Sequence, residues 1–131
     1  CDALIGLGPS AISTLPQGYA QNEAEVGAWR AGVMDSGFAT KRGRGLTEDD
    51  RLRRELIMRL LCDFELDLLD YGGVAAFPEA EFELRALVAD GLVELNGDRI
   101  TIPAPARAFA RLAAQTLDAY QDTGARHSRA V

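Results

Sequence analysis

Leu52, Leu56, Ile57, Leu60 and Leu61 recur every three to four positions behind Thr47-Glu48-Asp49-Asp50, the clearest helical signal in the chain. The Thr-x-x-Asp arrangement suits a helix start, because a hydroxyl and a carboxylate can accept from the amides of the first turn. A second stripe, Val26, Trp29 and Val33, predicts a helix over about 23–36, with Asn22 placed to cap it and Gly37 to end it. Pro78 suits a first helical position, Phe82, Ala86 and Leu87 share a face behind it, and Gly91 marks the end of a third helix. Leu92 to Leu95 and Arg99 to Ile102 flank Asn96-Gly97-Asp98, which predicts a hairpin with Val93, Leu95, Ile100 and Ile102 on one face. Pro103 and Pro105 rule out a continued inner strand, and Phe109, Leu112, Ala113, Thr116, Leu117 and Tyr120 predict a last helix over about 105–121. Asp122 to Val131 reads as a frayed tail. At the other end, apolar Ala3-Leu4-Ile5 enters Gly6-Leu7-Gly8-Pro9-Ser10-Ala11-Ile12-Ser13, a strand running into a glycine turn.

This order predicts a mainly α fold: a helical unit with a small β-hairpin, in a winged-helix-like arrangement. Such scaffolds often read nucleic acid, but architecture alone does not assign a function. The chain has a net charge of -6 and a pI near 4.7, so neither nucleic acid nor an anionic membrane is an expected partner. The predicted helix over 79–90 carries Glu79, Glu81, Glu83 and Asp90 against Arg85, the wrong sign for a recognition helix. No apolar run reaches the ~18 residues of a membrane span, and the first residues lack the basic region of a signal peptide; a cytoplasmic location is expected. With 131 residues, 47% of them hydrophobic, the chain is long enough for one compact domain and an appendage.

Charge is divided along the sequence. Lys41, Arg42, Arg44, Arg51, Arg53, Arg54 and Arg59 outnumber Glu48, Asp49, Asp50 and Glu55, whereas positions 63 to 98 hold ten acids and one base. The basic run either makes helix-surface pairs such as Arg51 with Glu55, or presents Lys41, Arg42 and Arg44, in a glycine-rich loop, to a carboxylate ligand or an acidic partner surface. Catalytic constellations are sparse. The one histidine, His127, falls in the tail, and no HExxH, phosphate-binding loop or paired CxxC occurs. Cys1 and Cys62 cannot form a zinc set, and Cys62, near Leu61 and Phe64, is expected to be a buried small hydrophobe. Gly6-x-Gly8-x-x-Ala11 is part of a dinucleotide fingerprint, but a helix is predicted where the ribose-binding acid would fall. An ordinary strand-end turn and backbone approach to a cofactor both fit these glycines.

The segments Asp2 to Ser13, Tyr19-Ala20-Gln21-Asn22, Arg42-Gly43, Leu46-Thr47-x-Asp49-Asp50, Arg53-Arg54-Glu55-Leu56-Ile57, Leu61-Cys62-Asp63-Phe64, Leu87 to Val93 and Ser128-Arg129-Ala130-Val131 together resemble the carboxyl-terminal third of bacterial oxygen-independent coproporphyrinogen III oxidase. Tyr19-Ala20-Gln21-Asn22 and the Arg53-Arg54 helix favour this enzyme over the similar haem chaperones. The resemblance implies a radical S-adenosyl-L-methionine oxidoreductase of haem biosynthesis, which converts two propionates of coproporphyrinogen III to vinyl groups. Such enzymes use a [4Fe-4S] cluster and a 5'-deoxyadenosyl radical. The cluster's Cys-x-x-x-Cys-x-x-Cys motif is absent here, so this chain is expected to be a fragment, inert alone and binding none of these cofactors by itself.

On that resemblance, residues 1–46 are the last strand and exit turn of the radical enzyme's barrel with a connecting helix and loop, and 47–131 are its helical carboxyl-terminal domain. Ile12 matches an isoleucine that contacts S-adenosyl-L-methionine in the family, and Gly6 and Gly8 let the backbone approach. Arg42 or Arg44 would draw the propionates of the substrate. Tyr19, Gln21 and Asn22 either position substrate or cap a helix, with capping ranked first for Asn22. The upstream barrel and coproporphyrinogen III are the expected partners; the alternative is a free-standing winged-helix interaction or nucleic-acid-binding module.

Overall fold

The structure, a computed structural model, describes residues 3–120, so His127, the tail and Cys1 lie outside the described residues. The chain divides into two compact units, Cys1–Asp49 and Asp50–Val131.

The first unit is built on strands where the sequence pattern suggested turns and loops. β1 (Ile12–Leu15) pairs antiparallel with β2 (Gly18–Asn22), which pairs antiparallel with β3 (Thr40–Gly45). Tyr19-Ala20-Gln21-Asn22 is thus strand, and Lys41, Arg42 and Arg44 lie on a strand, not in a glycine-rich loop. The alternation Arg42-Gly43-Arg44 has the strand period of two, a signal that the glycines obscured. Ala3-Leu4-Ile5 forms a single bridge, Leu4 with Thr14, through two 2.8 Å hydrogen bonds to its own unit. Between β2 and β3 runs helix α1 (Val26–Ser36).

Helix α1 starts later than expected, and Glu25, not Asn22, caps it. The Glu25 carboxylate accepts from the Gly27 and Ala28 amides, satisfying two of the donors that a first turn leaves open. Asn22 is held in β2, and its side-chain amide donates to the Gly6 and Gly8 carbonyls instead. Gly37, at φ +78, ends α1 as predicted, but no residue of this helix is buried. The amides of Gly27 and Ala28 hold the Glu25 carboxyl below its ordinary value of 4.5. A lowered carboxyl pKa adds stability above that ordinary value, and the contribution is lost as pH falls through the folded pKa. On acid titration, the Gly27 and Ala28 amide resonances should move with a midpoint below 4.5. A midpoint at or above that value would contradict the cap.

The second unit holds the hydrophobic core. Helix α2 (Glu48–Asp63) follows Thr47 as predicted, with Leu56 and Leu60 fully buried and Leu52, Ile57 and Leu61 packed partly against the core. It ends at Phe64, whose φ of +60 occupies the left-handed position that glycine usually fills. The Arg107 guanidinium lies 4.5 Å over the Phe64 ring, and the Phe64 carbonyl accepts from Ile102, so packing fixes the sharp exit. That exit creates β4 (Glu65–Asp67), a strand the sequence pattern did not reveal.

Helix α3 (Pro78–Ala89) has Pro78 in its first turn, and Gly91, at φ +70, follows its last residues. Its buried face is Ala80 and Leu84 with Leu87 beside them; Phe82, expected on that face, is 80% exposed. Strands β5 (Glu94–Asn96) and β6 (Arg99–Thr101) form the predicted hairpin across Gly97 and Asp98, with Gly97 at φ +63. β4 completes an antiparallel sheet of order β4-β6-β5, placing Leu66, Ile100 and Leu95 in one row. The last predicted helix is shorter: a 3-10 segment, Ala104–Phe109, precedes α4 (Ala110–Gln115). Its buried side is Ala106, Ala110, Ala113, Ala114, Thr116 and Leu117, while Phe109, Leu112 and Tyr120 remain exposed. Cys62, expected inside, is exposed, because Leu56 and Leu60 define the inner face of α2 and Cys62 falls off that stripe.

Candidate functional site

The three strands of the first unit carry the candidate site on one face. In an antiparallel ladder, paired residues project to the same side, and residues two apart along a strand share it. Ile12 pairs with Gln21 and Gln21 with Arg42, giving one row; Thr14, Tyr19 and Arg44 give the next. Ile12, Tyr19, Gln21, Arg42, Gly43 and Arg44 line a groove of about 510 Å³. Residues more than 30 positions apart in sequence thus meet through register alone, and the face combines two guanidinium groups, an amide, a phenol and an apolar side chain.

The turn leading into β1 is fastened to the same sheet. Asn22 Nδ2 donates to the Gly8 carbonyl at 2.9 Å and to the Gly6 carbonyl at 3.4 Å, and the Gly6 amide donates to Ser13 Oγ at 3.1 Å. A Cβ on Gly6 would lie 2.7 Å from the Ile12 carbonyl oxygen, so glycine is required there by the chain's own backbone. Gly8 differs: its φ is +101, yet a side chain would meet open space. Asn22 therefore secures the turn carrying Ile12, which is 52% exposed in the groove. Gly6 and Gly8 lie in this turn, and Arg42 and Arg44 on the strand opposite.

The Arg42 Nε–H donates to Gln21 Oε1 at 2.8 Å, and Gln21 Nε2 donates to the Ser10 carbonyl at 3.2 Å. Lys41, next to Arg42 in the strand and the extra residue at a bulge between Gln21 and Asn22, pairs with Glu23 at 2.6 Å. That contact holds the Glu23 carboxyl below its ordinary range, chiefly through the hydrogen bond from Lys41. Of the three basic side chains singled out in the sequence, two face the groove and one is spent in an ion pair. In the sequence Gln21 is one of several residues that could position substrate, and its alternation with Tyr19 is the signal for a strand face.

In the second unit, Arg99 bridges Glu65 and Asp67 at 3.0 and 3.2 Å. The Asp67 carboxyl is lowered first by the Leu69 amide and then by Arg99. These are contacts between neighbouring strands and a turn. Among the described residues no cluster of His, Cys, Asp or Glu could hold a metal ion, so an iron-sulfur cluster finds no ligand set there. An adenosyl group, in contrast, needs an apolar wall, and the half-exposed Ile12 fits that need. No helix of the described residues is long and apolar enough to cross a membrane.

Residues 46–109 match the model of the HemN C-terminal domain. Along nearly its whole length the chain is similar to oxygen-independent coproporphyrinogen III oxidases. It is 44% identical to the one from Bradyrhizobium diazoefficiens over 99% of this chain and 30% of the relative. With that of Pseudomonas aeruginosa it shares 34% identity over 92% of this chain and 27% of the relative. A solved structure of Escherichia coli coproporphyrinogen III oxidase (HemN), described as a radical SAM enzyme, superposes with a TM-score of 0.79 at 35% identity, over 90% of this chain and 29% of that one. The chain spans about 30% of the length of the curated relatives it matches.

Proposed function

We propose that this chain is the carboxyl-terminal part of an oxygen-independent coproporphyrinogen III oxidase, and that its first unit supplies one wall of the substrate and cofactor site. The observation that carries the proposal is the shared sheet face, which joins Ile12 to Arg42 and Arg44 in a chain aligned along 99% of its length with a protein of that name. In the proposed reaction each of two propionate side chains loses carbon dioxide, a proton and an electron pair, leaving a vinyl group. A ligand with such side chains is a carboxylate ligand, and an arginine fork matches the two oxygens of a carboxylate in geometry and charge. Arg42 and Arg44 would bind and orient the propionates. Ile12 would line the adenosyl part of S-adenosyl-L-methionine, excluding water, with Gly6 and Gly8 allowing the turn that carries it. That cofactor, when bound, supplies the radical chemistry of the oxidation.

Residues 1–46 would then be the end of the radical enzyme's barrel with a connecting segment. Residues 47–131 would form a winged-helix-like domain, an assignment supported by the order α2, β4, α3, β5, β6. The iron-sulfur cluster would be bound outside this chain, and the upstream barrel would be its partner. A free-standing interaction or nucleic-acid-binding module is not favoured, given the names of the relatives and the acids Glu79, Glu81 and Glu83 on α3.

The test is substitution of Arg42 and Arg44 by alanine in the full-length protein, with coproporphyrinogen III as substrate. Each lost charge-assisted contact should raise KM by roughly tenfold to a hundredfold. Unchanged affinity in the double variant would remove the proposal for these arginines.

A further inference from the structure

Gln21 is gripped from both sides. Its amide nitrogen donates to the Ser10 carbonyl at 3.2 Å, and its oxygen accepts from Arg42 Nε at 2.8 Å. Rotating the amide by half a turn would set an amino group against the guanidinium and an oxygen against the carbonyl, so the two partners fix one orientation. Ser10 is a firm anchor: its amide donates to the Glu23 carbonyl at 2.9 Å, and its φ of +59 holds the turn. A chain of contacts therefore runs from the turn through Gln21 to Arg42, across the row Ile12, Gln21, Arg42.

From this geometry we infer that Gln21 is a positioning residue, which aims Arg42 at a ligand carboxylate; the inference rests on the carboxylate reading of the groove. The amide takes up Nε, so the end of the fork, Nη1 and Nη2, is the pair turned to the ligand. A neutral partner is essential to this role. Glutamate at position 21 would accept the same hydrogen bond but cancel the positive charge, and would set an oxygen against the Ser10 carbonyl. Alanine would leave the charge intact and release the guanidinium to its many rotamers, so that binding would have to order it again. The glutamine side chain thus orients a cation without neutralising it.

The experiment uses the full-length protein with coproporphyrinogen III, comparing Gln21→Ala and Gln21→Glu alone and together with Arg42→Ala. Gln21→Ala should raise KM about three- to tenfold while kcat stays within about twofold, the split expected when binding orientation alone is lost. Gln21→Glu, which keeps the size and the hydrogen-bond acceptor, should raise KM about as far as Arg42→Ala does. In the Arg42→Ala background neither change should add more than about twofold, because coupled residues lose one interaction only once. If Arg42→Ala raises KM but the glutamine variants leave it unchanged, or add their full effect in the double variants, the positioning role is overturned and the carboxylate reading stands. If Arg42→Ala and Arg44→Ala both leave KM unchanged, the carboxylate reading falls, and the inference with it.

Discussion

Replacing Leu60 with alanine is expected to lower the unfolding free energy of the second unit by about 2–5 kcal/mol, the range for a buried leucine that leaves a cavity. Leu60 is fully buried in α2, within a core that gathers Leu56, Leu66, Leu84, Ile100, Ile102 and Leu117. Helices α2, α3 and α4 and the sheet all contribute to that cluster, so no single element can close over the gap. Since small domains are stable by only ~5–15 kcal/mol, the loss is a large fraction of the whole. Denaturant titration followed by far-ultraviolet circular dichroism should show a lower midpoint at unchanged slope. Met58 provides the control: on the same helix but 54% exposed, its replacement by alanine should cost no more than about 0.5 kcal/mol. Equal losses at the two positions would mean that the core does not lie where these contacts put it.

A second large effect is expected at Gly18, the one buried residue among those described in the first unit. A Cβ there would collide with the carbonyl oxygen of Arg44, and would lie 3.0 Å from its carbonyl carbon and 3.1 Å from Gly45 Cα. All three are backbone atoms, so no side-chain rotation relieves the clash. Gly18→Ala must therefore push β2 and β3 apart at the end where Arg44 sits, at a cost of about 1–3 kcal/mol or more. Hydrogen exchange reads this directly: the Leu46 amide, bonded to the Gln17 carbonyl at 2.9 Å, should exchange roughly ten- to a hundredfold faster. Gly45→Ala is the matching control, since a Cβ there first meets an atom at 4.0 Å. Similar exchange in the two variants would argue against the close approach of the strands.

Sequence periodicity was most informative where one apolar face meets one core. Leu56 and Leu60 identify α2, and Val93, Ile100 and Ile102 identify the hairpin region, because burial acts on every turn or every second residue. Periodicity was misleading where a glycine or an exit angle decides the structure. Phe64 has the side chain of a core residue and the backbone of a turn, a combination held by Arg107 on its ring and by the Ile102 amide on its carbonyl. β4 exists because of it. Phe82 and Phe109 read as core anchors but are exposed, while Ala80, Ala106 and Ala110 do the inner packing, since close approach of elements there leaves room only for small side chains.

The groove was legible in part. Its members Ile12, Arg42 and Arg44 were singled out separately, the first through a resemblance and the arginines through charge. What linear reading could not supply was the register that puts them in adjacent rows, because the pairing of β1 with β2 and β2 with β3 depends on contacts over as many as 27 positions, as between Gly18 and Gly45. Asn22 is a strand residue and not the expected cap for a related reason. A cap and a strand residue look alike in sequence when an asparagine precedes a helix, and the decision falls to carbonyls of the Gly6 to Gly8 turn.

The bulge at Lys41 sets rules for insertions and deletions in this hairpin. Gln21 pairs with Arg42 and Asn22 with Thr40, so Lys41 is the supernumerary residue of the ladder. A chain shortened by one residue at that point would lose the ion pair to Glu23 and regain a regular ladder, with both arginines still facing the groove. An extra residue between Gly43 and Arg44 has no such refuge: it would turn one guanidinium to the opposite side of the sheet. The length of the segment from Arg42 to Gly45 is therefore as much a part of the ligand's address as the two arginines it carries.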